Sequence, residues 1–237
     1  VKIMFAYSFG NKSLESQLDA MGIRAAFDAN LTKAVSDAKE LADKDLLPFA
    51  RQSGIGSDMV PMNAAAKRIT DTSNDLVILG TGGSSLGAQA AIALARYRRQ
   101  GTGTRIHTPD SLCPFEMDYL FATLNPKSTH VLTISKSGKT AETLAQLLVF
   151  RAWLEAVVQV DSLADHFTFI TDPGIRPLRR YAEKLGAPIL DHPTDIGGRF
   201  SVLTKVGMLT KASYKVTYRS KRRINSQYPV VQPVIEV

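Results

Sequence analysis

The chain has 237 residues, 44% of them hydrophobic and 22% charged, a balance that excludes a disordered or fibrous chain and admits one large domain or two small ones. A single cysteine, Cys113, excludes a disulfide framework and a cysteine-built zinc site and fits a reducing compartment. The net charge of +7 is unevenly placed: residues 205–237 hold seven Lys and Arg against Glu236 alone, so the body is almost neutral and a nucleic-acid reading rests on the tail.

No basic segment followed by an apolar core opens the chain, so no secretory signal is expected and a cytoplasmic location is. Four scattered histidines give no expectation of a metal site. Residues 76–95 run without a charge, which is the length of a membrane span. However, four glycines and several hydroxyl side chains lie within them, so a strand, a turn and a helix are expected there instead.

In chain order, a short helix is expected at 12–21. Leu31, Ala34, Val35, Ala38, Leu41 and Ala42 then recur at helical spacing, predicting a second helix that ends near Pro48. A third is expected at 63–69, before the polar break at 70–74. These helices read as an N-terminal arm, residues 1–74, packed on the domain C-terminal to it. From residue 75 strands alternate with helices: strands at 76–79, 104–107, 130–134, 167–170 and 188–190, helices at 86–98, 114–124, 140–158 and 176–185. That alternation implies an α/β domain, residues 75–209, whose parallel sheet is covered by helices on both faces. The helix after Thr140 is apolar on most sides and should be deeply packed. Residues 210–237 lose the pattern and form a basic tail.

Ligands of such sheets sit at the carboxyl ends of the strands, and three loops there carry chemistry. Ile134-Ser-Lys-Ser-Gly-Lys-Thr-Ala-Glu-Thr143 places four hydroxyl side chains at a helix start, where unpaired amides and the helix dipole favour an anion. It fails as a P-loop, because Thr133 stands where the first glycine belongs. One phosphate monoester suits it better than a polyphosphate. Thr140 could merely cap its helix, but a cap needs one hydroxyl. Gly80-Thr-Gly-Gly-Ser-Ser-Leu-Gly87 is a partial dinucleotide fingerprint with Ser85 at the third glycine position and no acid closing the next strand. A tight turn and close approach to a ligand explain it better than a nicotinamide or flavin. In Asp195-Ile-Gly-Gly-Arg-Phe-Ser201, two glycines precede Arg199, whose guanidinium could stabilise charge developing on oxygen. His192 and Asp195 read as a loop pair, and Glu142 as a complement to the helix dipole.

Together and in this order, the three loops resemble the glucose-6-phosphate isomerase family, over a stretch that runs to about Leu209. The resemblance implies a flavodoxin-like sugar-isomerase (SIS) domain with a five-stranded parallel sheet. It implies that Gly83, Ser84, Ser135, Lys136, Ser137, Thr140 and Thr143 surround the phosphate or sugar of a hexose phosphate. The family interconverts glucose 6-phosphate and fructose 6-phosphate through a cis-enediolate without a cofactor, and Arg199 matches the arginine that stabilises it. Members form homodimers and carry a second SIS domain that supplies the glutamate base, the ring-opening histidine and a late lysine. Nothing after Leu209 resembles that half, so a truncated or frameshifted chain with little isomerase activity is expected. A phosphosugar-binding SIS module without catalysis is the alternative.

Overall fold

The computed structural model describes residues 8–9, 12–48, 59–97 and 104–213, and a five-stranded parallel sheet forms its centre. The strands are β3 (Asp75–Leu79), β4 (Arg105–His107), β5 (Thr129–Ile134), β6 (Phe167–Thr171) and β7 (Ile189–Asp191), in the order β4-β3-β5-β6-β7. Every neighbouring pair is parallel; Leu79, for example, lies beside Thr133, and Ile134 beside Ile170. Because β4 and β5 flank β3 on opposite sides, the chain reverses its winding between β3 and β5. That switch point leaves a crevice at the carboxyl ends of these two strands. The antiparallel pair β1 (Ser8–Phe9) and β2 (Lys12–Ser13) stands apart as a small ribbon.

Alternation along the strands divides the core into two layers. Val77, Leu79, Val131, Phe167 and Phe169 face α5 (Pro114–Thr123), α6 (Ala141–Glu155) and α7 (Pro177–Leu185). Phe150 of α6 is fully buried there, edge-on to Phe121 with ring centroids 5.1 Å apart, and burying such a ring stabilises by roughly 1.5–3 kcal/mol. Leu76, Ile78, Ile106, Leu132, Ile134 and Ile170 face the other way, against α3 (Met59–Thr72), α4 (Leu86–Tyr97) and α8 (Lys205–Ser213). Helices on both faces and a parallel sheet are as the sequence implies.

Two buried polar clusters fasten this frame. Asp75 opens β3 with a carboxylate that accepts from Arg105 Nε and Nη2, both at 2.7 Å, and meets His107 Nε2 at 2.9 Å. Burial alone would push this carboxyl up, but the hydrogen bonds from Arg105 and His107 outweigh it and hold the pKa below the ordinary value. Inside the second layer Arg68 of α3 donates to Thr168 Oγ1 at 2.6 Å and to Phe167 O at 3.3 Å. His130 of β5 shares a 2.9 Å hydrogen bond with the same threonine. Burial, with Arg68 and His166 nearby, pushes the His130 pKa down to about 3, so the ring is neutral.

The N-terminal arm differs from expectation. α1 (Leu14–Ala20) and α3 occupy the first and third helical segments, and α2 (Arg24–Asp43) runs beyond both ends of its predicted stripe. Yet α2 buries no residue, and Leu31 and Val35 stay 51% and 60% exposed. Among the described residues of the arm, α3 packs on the sheet through Met62, Ala66 and Ile69. Local interactions sustain α2: ion pairs four residues apart link Arg24 with Asp28, Lys33 with Asp37 and Lys44 with Glu40. It ends at Asp45 in the left-handed region (φ 61), where Leu46 N–H donates to Leu41 O, so the turn arrives before Pro48. We expect Val35→Ser to change unfolding free energy by less than about 0.5 kcal/mol, measured by urea denaturation. A loss of about 2 kcal/mol or more, of the size expected for a buried valine, would contradict this description of α2.

Two further expectations need correction. α6 is not packed all round: Thr143, Gln146, Leu147, Phe150 and Leu154 are buried, but Leu148 and Val149 are 56% and 45% exposed. The helix has one layer beneath it and solvent above, so its apolar composition exceeds its burial. α8 crosses residue 209, where the sequence pattern breaks, and buries Thr210 and Ser213. It is held by packing against α3 and α4 rather than by its own periodicity. Residues 214–237, which make up most of the basic tail, lie outside the described residues.

Candidate functional site

At the switch-point crevice three loops converge: β3 and β5 end side by side, Leu79 beside Thr133, and the loop after β7 reaches back past β6 to meet both. The turn after β3 passes through Gly80 and Thr81 into a single helical turn, Gly82–Ser84. The loop after β5 runs from Ser135 to Thr140, and the loop after β7 ends in the helical turn Gly198–Leu203. Between them lies a cavity of about 480 Å³, within the range of small-ligand sites. Its walls include Gly83, Ser84, Lys136, Ser137, Thr140 and Arg199, six of the eight residues singled out in the sequence. Ser135 and Thr143 are not on its surface.

The β5–α6 loop is shaped from within. Ser135 is 2% exposed, and its hydroxyl accepts from Gly138 N–H at 3.1 Å and shares a 3.0 Å hydrogen bond with Thr140 Oγ1. Gly138 takes φ 63, and a Cβ there would stand 2.7 Å from Arg176 Cβ, so a side chain is excluded by both conformation and space. Thr140 occupies the N-cap position but makes no side-chain cap bond. The bland explanation of that hydroxyl, a helix cap, therefore does not hold. The first bond into the helix runs from Leu144 N–H to Thr140 O, which leaves the amides of the opening turn directed out of the helix end. Thr143 is fully buried on the inner side of α6, behind that turn.

Gly83 and Gly198 join the first and third loops. A Cβ at Gly83 would lie 2.4 Å from the carbonyl carbon of Gly198 and 2.7 Å from Arg199 N, so backbone touches backbone. Ser201 Oγ donates to Gly198 O at 2.6 Å and lies 3.3 Å from Gly83 O. On the near side of Arg199, Lys136 Nζ donates to Thr194 O at 2.7 Å and to Ile196 O at 2.8 Å. The guanidinium-bearing turn is thus tied on both sides, while Arg199 itself is exposed at the cavity wall.

Sequence reasoning missed Thr81, Asp172, Arg176 and Phe200, which also line the cavity. Asp172 and Arg176 come from the β6–α7 loop, with Arg176 Nη2 3.7 Å from Asp172 Oδ2. The signal was present as Asp172-Pro-Gly at a fourth strand end, but it lacks the hydroxyl and glycine density of the other loops. His192 is buried beside the site: its Nδ1–H donates to Pro193 O at 2.9 Å, and desolvation lowers its pKa. It does not line the cavity. Three cations, Lys136, Arg176 and Arg199, face one carboxylate, Asp172, so the cavity favours an anion. Among the described residues no group of three or more His, Cys, Asp or Glu side chains is placed to hold a metal ion, and no helix is long and apolar enough to cross a membrane.

A flavodoxin-like sheet with hydroxyl- and glycine-rich loops at its switch point defines an α/β domain of the SIS type. The family model for phosphoglucose isomerase matches residues 61–222, and the chain belongs to that family. A glucose-6-phosphate isomerase of Thermus thermophilus is 43% identical over 138 residues, 58% of this chain and 32% of that protein. The enzyme of the same name from Carboxydothermus hydrogenoformans is 31% identical over 201 residues, 81% of this chain and 43% of its own length. Among solved structures, a glucose-6-phosphate isomerase from Chlamydia trachomatis superposes with a TM-score of 0.59 at 26% identity, covering 70% of this chain and 31% of that one. The chain thus spans about a third to a half of the length of the curated relatives it matches.

Proposed function

We propose that this chain carries the phosphate-holding side of a glucose-6-phosphate isomerase active site. One observation carries the reading: the loops after β3, β5 and β7 meet around a single cavity whose cations outnumber its carboxylate. In this reading Ser84, Ser137 and Thr140 donate to the phosphate together with amides at the start of α6. Ser135 shapes the loop from below, and Thr143 supports its first helical turn. Arg199, across the cavity, stabilises the negative charge of a cis-enediolate as it forms at C1 and C2. No cofactor enters this chemistry, because the hydrogen moves within the substrate as a proton.

Proton abstraction next to a carbonyl needs a positioned base. Asp172 is the one carboxylate among the described residues lining the cavity, and it lies beside Arg176. The base is therefore assigned to a group outside the described residues, as are the homodimer contacts that the family resemblance implies. The cytoplasm, with its hexose phosphate pool, is the proposed site of action.

Isothermal titration with glucose 6-phosphate and fructose 6-phosphate, alongside a coupled assay, tests this reading. Binding of both is expected, with turnover far below an ordinary enzymatic rate for the 237-residue chain. Failure to bind either sugar phosphate would overturn the proposal, and ordinary turnover would overturn the placement of the base. Thr140→Val keeps the shape but removes the hydroxyl, and we expect it to weaken binding roughly tenfold, about 1.4 kcal/mol. Unchanged affinity would remove Thr140 from the phosphate site.

A further inference from the structure

We infer that Lys136 is a positioning residue for Arg199 rather than a ligand of the phosphate. A lysine between two serines at a helix start reads as an anion ligand, and Lys136 does line the cavity. Its ammonium, however, reaches across the crevice to the strand β7 side. Two of its three protons are donated to the carbonyls of Thr194 and Ile196, at 2.7 and 2.8 Å. Both are short, charge-assisted hydrogen bonds to neutral acceptors, and both acceptors lie within five residues upstream of Arg199.

The geometry explains why such a tie is needed. Arg199 stands on two glycines, Gly197 and Gly198, whose backbone has little intrinsic preference for one conformation. Downstream, Ser201 fastens the helical turn to Gly198 O, with Gly83 O close by. Upstream, Lys136 ties this segment to the β5–α6 loop at two carbonyls, while His192 N–H holds the start of the loop to Thr171 O at 2.9 Å. Asp172 N–H donates to Lys136 O at 3.1 Å, so the lysine's own backbone is anchored between β5 and β6. Lys136 therefore transfers the position of the central strands to the loop bearing Arg199. A hydrated, flexible ammonium serves here as a two-point brace between loops from β5 and β7.

The inference rests on the phosphosugar reading of the cavity for its consequence, but not for its geometry. The test uses the full chain with Lys136→Met and Lys136→Arg. Hydrogen exchange by mass spectrometry, without ligand, reads protection of peptides covering residues 193–201. Titration reads affinity for inorganic phosphate, for sorbitol 6-phosphate and for 6-phosphogluconate. The last two share a phosphate and carbon chain and differ by a C1 carboxylate, which places negative charge where Arg199 would meet it.

For Lys136→Met we expect faster exchange in 193–201, a loss of phosphate affinity well short of tenfold, as one of three cavity cations goes while the direct donors stay, and at least a tenfold loss of the preference for 6-phosphogluconate over sorbitol 6-phosphate. Lys136→Arg, able to reach both carbonyls, should recover most of the protection and the preference. General loosening of the fold would lower affinity for all three ligands together and accelerate exchange in β5 and β6, and would overturn the inference. So would unchanged protection of 193–201 with a tenfold loss of phosphate affinity, the result for a direct phosphate ligand. If wild type binds none of the ligands, the phosphosugar reading fails, and the exchange data alone still decide whether Lys136 braces the loop.

Discussion

Gly83→Ala is expected to weaken hexose phosphate binding roughly 100-fold or more, the equivalent of about 2.7 kcal/mol, while leaving the unfolding temperature within a few degrees of wild type. The added methyl would lie 2.4 Å from the carbonyl carbon of Gly198 and 2.7 Å from Arg199 N, and backbone atoms cannot rotate away as a side-chain tip can. The collision falls between two surface loops, not inside either core layer. The strain is therefore relieved by pushing the Arg199 turn outward, which opens the cavity and separates its two walls. Gly82→Ala is the control: Gly82 has φ 55, but a Cβ there meets nothing within 4 Å. It should cost about 1–2 kcal/mol of stability through the left-handed backbone and leave affinity nearly intact. Calorimetric titration of both variants with glucose 6-phosphate decides the matter, and wild-type affinity in Gly83→Ala would show that the two loops need not touch.

The second large effect concerns acid stability. His130 is buried with a folded pKa of about 3, against about 6.5 in an unfolded chain. Above about pH 6.5 the ring is neutral in both states, and the fold bears no penalty from it. As the pH falls below that value the unfolded chain takes up a proton that the folded chain refuses. Stability then declines at about 1.4 kcal/mol per pH unit until the folded ring itself titrates near pH 3. His192, lowered in the same direction by burial, adds to the decline. Urea unfolding between about pH 7 and pH 5, above the range in which carboxylates titrate, should show this slope. His130→Leu should remove its share of the slope, leaving the part due to His192. An identical slope in the variant would place the acid sensitivity elsewhere.

The sheet was legible because its signals are local. Short apolar runs bounded by glycine, proline and hydroxyl residues mark β3, β5 and β6, and each observed strand lies within two residues of its expected ends. The three loops of the candidate site were legible for a related reason. Glycine and hydroxyl density at a strand end is written in consecutive residues. Thr140 shows the limit, since a cap and a ligand donor have the same sequence signature. The structure separates them: its hydroxyl pairs with Ser135 Oγ and not with a helix amide.

What the sequence determined by itself, then, is the alternation of strands and helices, the two-faced sheet, and six residues of the cavity wall. The first two follow from side-chain period and from backbone conformations that only certain residues permit; the cavity-wall residues follow from the resemblance of their loops to a known family. Tertiary structure decided the rest. It left α2 without a buried face, carried α8 past the break in its pattern, and placed Thr143 behind the loop. It also brought Asp172 and Arg176 into the cavity and turned Lys136 toward the carbonyls of Thr194 and Ile196, 58 and 60 residues away. The physical reason is common to these cases. A side chain's partner is set by which strand ends and helices the tertiary fold places side by side, and no window along the chain contains that neighbour.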